Sequence, residues 1–385
     1  MTNNKIYKYL ISFGHFCSDV NQGALSAILP FLIATYNYDY TTAAMLVLYA
    51  NIIGSFVQPF IGYINDKKNT PYIVLIGLIL AGGGMSCVGF SSNFYLLCFA
   101  VTISGIGMAM FHPQAAKIIN QASNDNNRAI NISIFSFGGN LGFTLGPVFV
   151  SLVVYLFGLR GMIWFLLPQV IFAMLFIYHY KGISELGTYI KTKKIVQKES
   201  KDDWSAFGYL CVVIMSRSIV FHGINTFLAL FFISKFGNSA SSASVILSTY
   251  YAIVAAGTLL GGVLADRYGY HTVIKSAFTF LLFSIFLFAI NDNFYMALAV
   301  IIPLGAAMGM SYSPMVVLAQ SYLPNHIGLA SGVTLGLAVS IGGITAPFFG
   351  KIADTYTITY TFYAISLVCV VSALFSFLLP KLKVA

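Results

Sequence analysis

The apolar stretches of this chain hold few ionisable side chains, and those few are the residues that could do chemistry. Asp19 lies in the middle of such a stretch, whereas the other acidic residues fall in loops or at the ends of apolar stretches. A charge at the centre of a membrane-spanning helix costs roughly 2.5–3.5 kcal/mol on insertion scales, so it usually marks function. Asp19 is therefore predicted to take up and release a proton. The alternative is a carboxylate that only holds helices together through hydrogen bonds.

Two polar residues share the helical face of Asp19. His15, Asp19 and Gln22 follow the spacing i, i+4, i+7, which places all three on one side of a helix. A polar stripe on an otherwise apolar helix must face a cavity or another polar helix. His15 and Gln22 are therefore predicted to bind substrate beside the proton-carrying carboxylate.

Arg217 is the basic counterpart of Asp19 and lies about as deep in its own apolar stretch. Its guanidinium stays protonated in proteins, so it is a fixed positive charge. Two roles stay open for it: binding an anionic substrate, or neutralising Asp19. Further polar residues within apolar stretches are also predicted to contact substrate, namely His112, His222, Asn225 and Tyr312.

Several other kinds of chemistry are not indicated. The six histidines and five cysteines show no metal-binding spacing, and the glycine runs lack the Lys-Ser/Thr of a phosphate-binding loop. We find no paired carboxylates and no nucleophile–base arrangement. The sequence therefore predicts that the chain is not an enzyme, needs no metal or other cofactor, and does not hydrolyse ATP.

The composition predicts an all-α integral membrane protein. Hydrophobic residues make up 58% of the chain and charged residues 8%, and the mean hydropathy is +0.84, whereas soluble domains carry about 25% charged residues. Stretches of roughly 20 apolar residues can cross a bilayer as helices. Twelve are predicted: 8–35, 42–64, 72–90, 94–118, 129–156, 161–180, 206–234, 241–264, 271–290, 294–322, 327–350 and 358–379.

A polar segment divides the chain into two sets of six spans. The predicted domains are residues 1–180 and 206–385, joined by a cytoplasmic linker at 181–205 that contains six lysines. With both termini in the cytoplasm, sixteen Lys and Arg residues fall on the cytoplasmic side, which is the positive-inside pattern. The formal net charge of +9 therefore reflects topology and contact with the lipid bilayer, and no nucleic-acid partner is expected.

The two halves share sequence motifs at an offset of about 200 residues. Gly62, Asp66 and Lys67 recur as Gly262, Asp266 and Arg267, each set near the end of a predicted span. The glycines are predicted to let helices approach closely. The charged pairs are predicted to form a gate that holds the two halves in one orientation and releases them in the other. Ordinary helix ending is the alternative. A third motif, in span five, predicts close helix packing through Gly142, Gly146 and Pro147.

These residues resemble the major facilitator superfamily. The two Gly-x-x-x-Asp-Lys/Arg motifs are similar to its repeated loop signature, and the span-five motif is similar to one associated with its antiporters. A closer resemblance is to the fosmidomycin-resistance family. It rests on residues 15–32, 57–62, 111–113 and 135–147, with one departure: Gln114 stands where that family commonly has Glu.

The resemblance implies two pseudo-symmetric six-helix bundles, with spans 1, 4, 7 and 10 lining a central cavity. It also implies proton-driven efflux from a bacterial inner membrane, and fosmidomycin, a phosphonate, would suit Arg217. The expected function is therefore proton-coupled export of a small polar or anionic compound by a monomer working through alternating access. The alternatives are an importer or facilitator of a small metabolite in the same fold, and a membrane sensor that transports nothing.

Overall fold

The computed structural model describes residues 4–67, 70–123, 128–186, 202–326, 329–330, 333–334 and 338–380. Within these ranges the chain is helical and contains no β-strand. The α-helices in chain order are α1 (Asn4–Tyr36), α2 (Tyr40–Lys67), α3 (Tyr72–Cys87), α4 (Phe94–Gln121), α5 (Arg128–Phe157), α6 (Leu166–Leu186), α7 (Trp204–Phe236), α8 (Ala240–Tyr268), α9 (Tyr270–Ile290), α10 (Phe294–Met310), α11 (Tyr312–Tyr322), α12 (Ala338–Thr355) and α13 (Ile358–Phe377).

The described helices include eleven segments long and apolar enough to cross a membrane. Helices α10 and α11 together form one of them, Phe294–Tyr322. The predicted span at 327–350 falls partly on residues outside the described ranges, and α12 begins within it. The predicted all-α membrane fold is confirmed. Helix α6 continues to Leu186, six residues beyond its predicted end, because Ile183 is buried in the core around α1.

The turns repeat at the same offset of 200 residues as the motifs. Asn93 caps the first turn of α4 by accepting hydrogen bonds from the backbone N–H groups of Tyr95 and Leu96, and Asn293 caps α10 by accepting one from the backbone N–H group of Met296. Such caps satisfy N–H groups that have no partner within the helix. The residues that end α1 and α7 correspond too, because Asn37 and Gly237 have φ values of 54° and 70°.

The chain divides into two compact units. The first comprises residues 1–36 and 49–195, and the second comprises residues 37–48 and 196–385. This division places the start of α2 with the second unit rather than with the N-terminal domain predicted at 1–180. Asp354 makes contacts that join this segment to the second unit, because its carboxylate accepts hydrogen bonds from the backbone N–H groups of Tyr40 and Thr41, both at 2.8 Å. A carboxylate at that position caps the helix and interacts favourably with the partial positive charge of the helix N-terminus.

In the first unit, α5 packs along α1 through glycines. A Cβ atom built on Gly142 would lie 2.4 Å from the carbonyl oxygen of Phe16, a distance that no real Cβ atom tolerates. Gly138 and Gly146 make the same kind of contact with α1. The small-residue face predicted in span five therefore lies against α1, and Pro147 continues the same helix.

Replacing Gly142 by alanine is expected to destabilise the first unit. The added methyl group must push α1 and α5 apart, and overpacking of this kind costs about 1–3 kcal/mol. Thermal unfolding of the purified protein in detergent measures the effect. Gly83→Ala is the matched control because a Cβ atom at Gly83 meets no atom within 4 Å. An equal unfolding midpoint for Gly142→Ala and Gly83→Ala would contradict the packing described.

The repeated motif near the end of α8 requires a correction. The sequence predicts a close helix approach at Gly262, yet a Cβ atom built there meets none of the described atoms within 4 Å. The close approach is made by Gly261, where the same Cβ atom would lie 2.3 Å from the carbonyl oxygen of Met310. Successive residues of an α-helix point about 100° apart, so Gly261 faces Met310 and the motif residue Gly262 does not.

Of the two repeated motifs, the structure describes the charged side chains of the second, Asp266 and Arg267. Asp266 and Arg267 are exposed in the last turn of α8, where the Arg267 guanidinium lies 5.3 Å from the centre of the Tyr268 ring. Gly62, Asp66 and Lys67 lie near the end of α2, and the surroundings of this stretch are outside what the structure describes. The gate therefore stays a prediction.

Candidate functional site

A buried cluster in the first unit joins Asp19 to two histidines. Asp19 Oδ1 lies 2.9 Å from His112 Nε2, and Asp19 Oδ2 lies 3.2 Å from His15 Nε2. Asp19 is only 8% exposed. His15 and Asp19 are neighbours on α1 as their spacing predicts, whereas His112 is brought to the carboxylate by the packing of α4 against α1. Both carboxylate oxygens are thus engaged within the first unit.

The ring of His15 is held from the other side by α5. His15 Nδ1 lies 2.8 Å from the carbonyl oxygen of Phe135, and the His15 and Phe135 rings stack with centroids 4.0 Å apart. The imidazole therefore spans the gap between the carboxylate on α1 and a backbone carbonyl on α5. The sequence contains no signal for this contact, since the partner is a main-chain atom.

Gly139 lets α5 come directly against the His15–Asp19 pair. A Cβ atom built on Gly139 would lie 2.5 Å from His15 Cε1 and 2.7 Å from Asp19 Oδ2. Any larger residue would push the two side chains away from α5. The glycine pair at 138–139 was a signal for this position, although the sequence indicated only close packing in span five.

The three side chains form the one group of potential metal ligands among the residues that the structure describes. Their ligand atoms all lie within 4.8 Å of one another. A tetrahedral zinc site with metal–ligand distances near 2.05 Å needs ligand atoms roughly 3.3 Å apart. The 2.9 Å contact between His112 and Asp19 is shorter than that and is a hydrogen bond, whereas the 3.2 Å contact between His15 and Asp19 is close to that spacing.

Arg217 lies in a separate polar site within the second unit. Its Nε donates to Ser311 Oγ at 2.9 Å, and its Nη2 donates to the carbonyl oxygen of Met308 at 3.0 Å. Ser311 is the junction between α10 and α11. The guanidinium carbon lies 5.1 Å from the centre of the Tyr312 ring and 5.7 Å from that of Phe221. Aromatic faces at these distances stabilise a cation.

Within the part of the second unit that the structure describes, the positive charge of Arg217 has no anionic partner. Among the described residues of the second unit, no carboxylate oxygen lies within 4.0 Å of the guanidinium. Its hydrogen bonds use one oxygen of a hydroxyl group and one of a carbonyl group, both neutral. A partly buried guanidinium with neutral partners is suited to bind an oxyanion.

The other predicted substrate residues occupy different surroundings. His222 is 8% exposed, and its Nδ1 contacts the carbonyl oxygen of Ser218 on its own helix at 3.1 Å. Asn225 is also buried, and its Oδ1 has no hydrogen-bond partner among the described residues. Among the described residues, the hydrogen-bond and ring contacts of Arg217 are with Ser311, Met308, Phe221 and Tyr312, and not with these two side chains. Gln22 is partly buried on α1, one turn beyond Asp19.

Four residues of these sites were absent from the sequence prediction: Phe135, Met308, Ser311 and Phe221. Ser311 and Phe221 resemble many other serines and phenylalanines in the chain, so their types carried no signal.

Gln114 is buried, and neither atom of its side-chain amide has a partner among the described residues.

Comparison with known proteins accounts for this architecture. The Major Facilitator Superfamily model matches the chain twice, over residues 11–209 and 206–384. The chain belongs to the Major Facilitator Superfamily. The double match of this superfamily model agrees with the repeats in motifs and turns. The resemblance to this superfamily is therefore confirmed, and the chain is a multi-pass membrane transporter rather than an enzyme.

Two relatives within the superfamily cover most of the chain. The uncharacterized MFS-type transporter YfnC of Bacillus subtilis (strain 168) is 30% identical over 98% of this chain and 93% of its own length. The fosmidomycin resistance protein of Escherichia coli (strain K12) is 28% identical over 89% of this chain and 85% of its own length. The second match confirms the resemblance to the fosmidomycin-resistance family.

A solved structure supports the fold alone. The inward-facing, occupied form of a bacterial homolog of the human lysosomal transporter Spinster superposes with a TM-score of 0.80. The alignment covers all of this chain and 98% of the homolog, at 15% sequence identity. At that identity the similarity concerns the course of the helices and not the solute.

Proposed function

We propose that this transporter exports a small polar or anionic compound in exchange for protons, by alternating access. The observation that carries the proposal is the Asp19 cluster, a buried carboxylate hydrogen-bonded to two side chains that can themselves take up a proton. Such chains of carboxylates and histidines within membrane spans are typical of proton relays. Asp19 is the proposed proton-coupling residue, with His15 and His112 as its partners.

The proposed substrate is an anion that Arg217 binds. A guanidinium is planar and presents its donors in a fork that matches carboxylate and phosphate groups. Support comes from the neutral surroundings of Arg217, from the nearby ring of Tyr312, and from the name of the fosmidomycin resistance protein. Gln22, His222 and Asn225 are proposed to make secondary contacts with the substrate.

The remaining proposals concern topology and gating. Both termini are placed in the cytoplasm and the protein in a bacterial inner membrane, on the positive-inside pattern of the sequence. The repeated charged pairs, Asp66 with Lys67 and Asp266 with Arg267, are proposed to gate the transport path, beside Gly62 and Gly262. A monomer is proposed to be sufficient for transport.

Flux measurements in liposomes test the function. Purified protein is reconstituted with a pH indicator inside, and a panel of small phosphonates, phosphate esters and carboxylates is applied under pH gradients of both signs. We expect one class of anion to move opposite to the protons. With the membrane potential held at zero, a gradient of one pH unit can drive about tenfold accumulation per proton exchanged, since it is equivalent to about 1.36 kcal/mol. Reversing the gradient should reverse the flux.

Each other outcome identifies an alternative function. Anion movement in the same direction as the protons would indicate an importer of the symport type. Anion movement indifferent to the pH gradient would indicate a facilitator, or coupling to another ion. A complete absence of flux across the panel, with protein shown to be folded, would favour a sensor that does not transport.

A further inference from the structure

The hydrogen bonds of His15 determine how many protons the Asp19 cluster holds. The carbonyl oxygen of Phe135 can only accept, so His15 Nδ1, 2.8 Å away, carries a hydrogen. A neutral imidazole has one N–H group, which leaves His15 Nε2 with a bare lone pair. Yet Nε2 lies 3.2 Å from Asp19 Oδ2, and an ionised carboxylate is also only an acceptor. A proton on either atom makes this contact between two acceptors attractive, so the geometry favours a proton shared by His15 and Asp19.

The contact with His112 needs no additional proton. His112 Nε2 lies 2.9 Å from Asp19 Oδ1, and a neutral imidazole protonated at Nε2 satisfies that contact. The cluster thus holds three hydrogens on its nitrogen and oxygen atoms, whereas an ionised aspartate with two neutral histidines would hold two. The cluster as described has a net charge of zero, with its third proton on His15 or on Asp19.

We infer that this conformation is the proton-loaded state of the cluster, and that His15 is the positioning residue that links proton release to the movement of α5. The inference rests on the proposed proton coupling for its role in transport. The binding of the proton itself is independent of any substrate.

Loss of the third proton changes what His15 can bind. One N–H group must then serve two acceptors, the Phe135 carbonyl and the Asp19 carboxylate. Hydrogen bonds to an ionised acceptor are about twice as strong as neutral ones, so the N–H group turns to Asp19. The Nδ1 lone pair then opposes the Phe135 carbonyl at 2.8 Å and repels it. Proton release therefore breaks the polar contact between α1 and α5 at this level.

The helices around His15 and Asp19 place few other titratable groups near the third proton. Helix α4 presents His112, with Lys117 five residues further along, and α5 has no charged residue or histidine after Arg128. Helix α3 has no charged residue or histidine, and His179 on α6 packs against Tyr7, two turns of α1 away. His112 is thus the one titratable group of the described residues that faces the pair from another helix.

Proton uptake by the purified protein tests the inference. The protein in detergent, without substrate or gradient, is moved from high to low pH, and the protons bound per chain are measured for wild type, His15→Gln and His112→Gln. In His112→Gln an amide N–H replaces the imidazole N–H, so the uptake should remain. In His15→Gln an amide N–H reaches Asp19 without an extra proton. We expect its uptake midpoint to fall by about one pH unit or more.

The opposite pattern would overturn the inference. If His112→Gln lost the uptake while His15→Gln kept it, the proton would belong to His112 and the contact with Phe135 would be irrelevant. Equal uptake in all three proteins would overturn it as well. Should His15→Gln fail to fold, Gly139→Ala serves instead, because its methyl group displaces His15 from α5 and is expected to lower the midpoint similarly.

A second measurement follows α5 directly. Hydrogen exchange of the α5 segment around Phe135, corrected for the intrinsic effect of pH, should become faster above the uptake midpoint in wild type and should show no such step in His15→Gln. The expected uptake pattern without anion flux would contradict the proposed function and leave the proton site standing. Proton-coupled flux that persists unchanged in His15→Gln would contradict the role inferred for His15 and leave the proposed function standing.

Discussion

Asp19→Asn is expected to abolish the proposed proton-coupled transport and to leave the fold intact. An asparagine amide can accept from His112 Nε2 and donate to His15 Nε2, so it reproduces every hydrogen bond of the proton-loaded cluster. It cannot release a proton. Substrate-driven proton movement in liposomes should therefore fall to the level of liposomes without protein, while the unfolding midpoint stays close to that of wild type.

The neighbouring residue Ser18 supplies a control for this experiment. Its buried hydroxyl oxygen has no partner among the described residues, so Ser18→Ala alters α1 beside the cluster without touching a hydrogen bond. Ser18→Ala should keep wild-type flux. Proton-coupled flux that survives in Asp19→Asn would leave Asp19 with a structural role only.

Arg217→Gln is expected to weaken binding of the proposed anionic substrate strongly. A hydrogen bond that involves a charged group contributes about 1.5–3 kcal/mol, which corresponds to roughly a tenfold to hundredfold increase in Kd. Arg217→Lys keeps the charge but loses the planar fork that holds Ser311, Met308 and an anion together. We expect an intermediate Kd for that variant. Calorimetric titration with the anion identified by the flux panel gives the three values.

Arg160→Gln is the matched control for the loss of one positive charge. Arg160 is exposed at the turn after α5, in the first unit, and its removal should leave Kd unchanged. A neutral analogue of the substrate provides a second comparison, because its affinity should depend little on Arg217. If Arg217→Gln bound the anion as tightly as wild type, the guanidinium would have a packing role between α7 and the α10–α11 junction.

Much of the fold was predictable because membrane-spanning helices depend on local composition. A bilayer has no water to satisfy backbone groups, so each apolar stretch of sufficient length must form a helix whatever its neighbours. The turns were also local: Asn93 and Asn293 cap helices through their own side chains. The start of α2 shows the limit, since its capping carboxylate, Asp354, lies more than 300 residues away in the chain.

The sequence by itself determined which ionisable residues lie within the membrane, and that His15 and Asp19 are neighbours, because helical geometry relates residues four positions apart. Only the tertiary structure decided that His112 reaches the same carboxylate, that a carbonyl on α5 holds His15, and that Ser311 orients Arg217. These contacts join different helices. They depend on packing through glycines such as Gly139, which indicated close helix packing in the sequence but not which side chains the neighbouring helix would present.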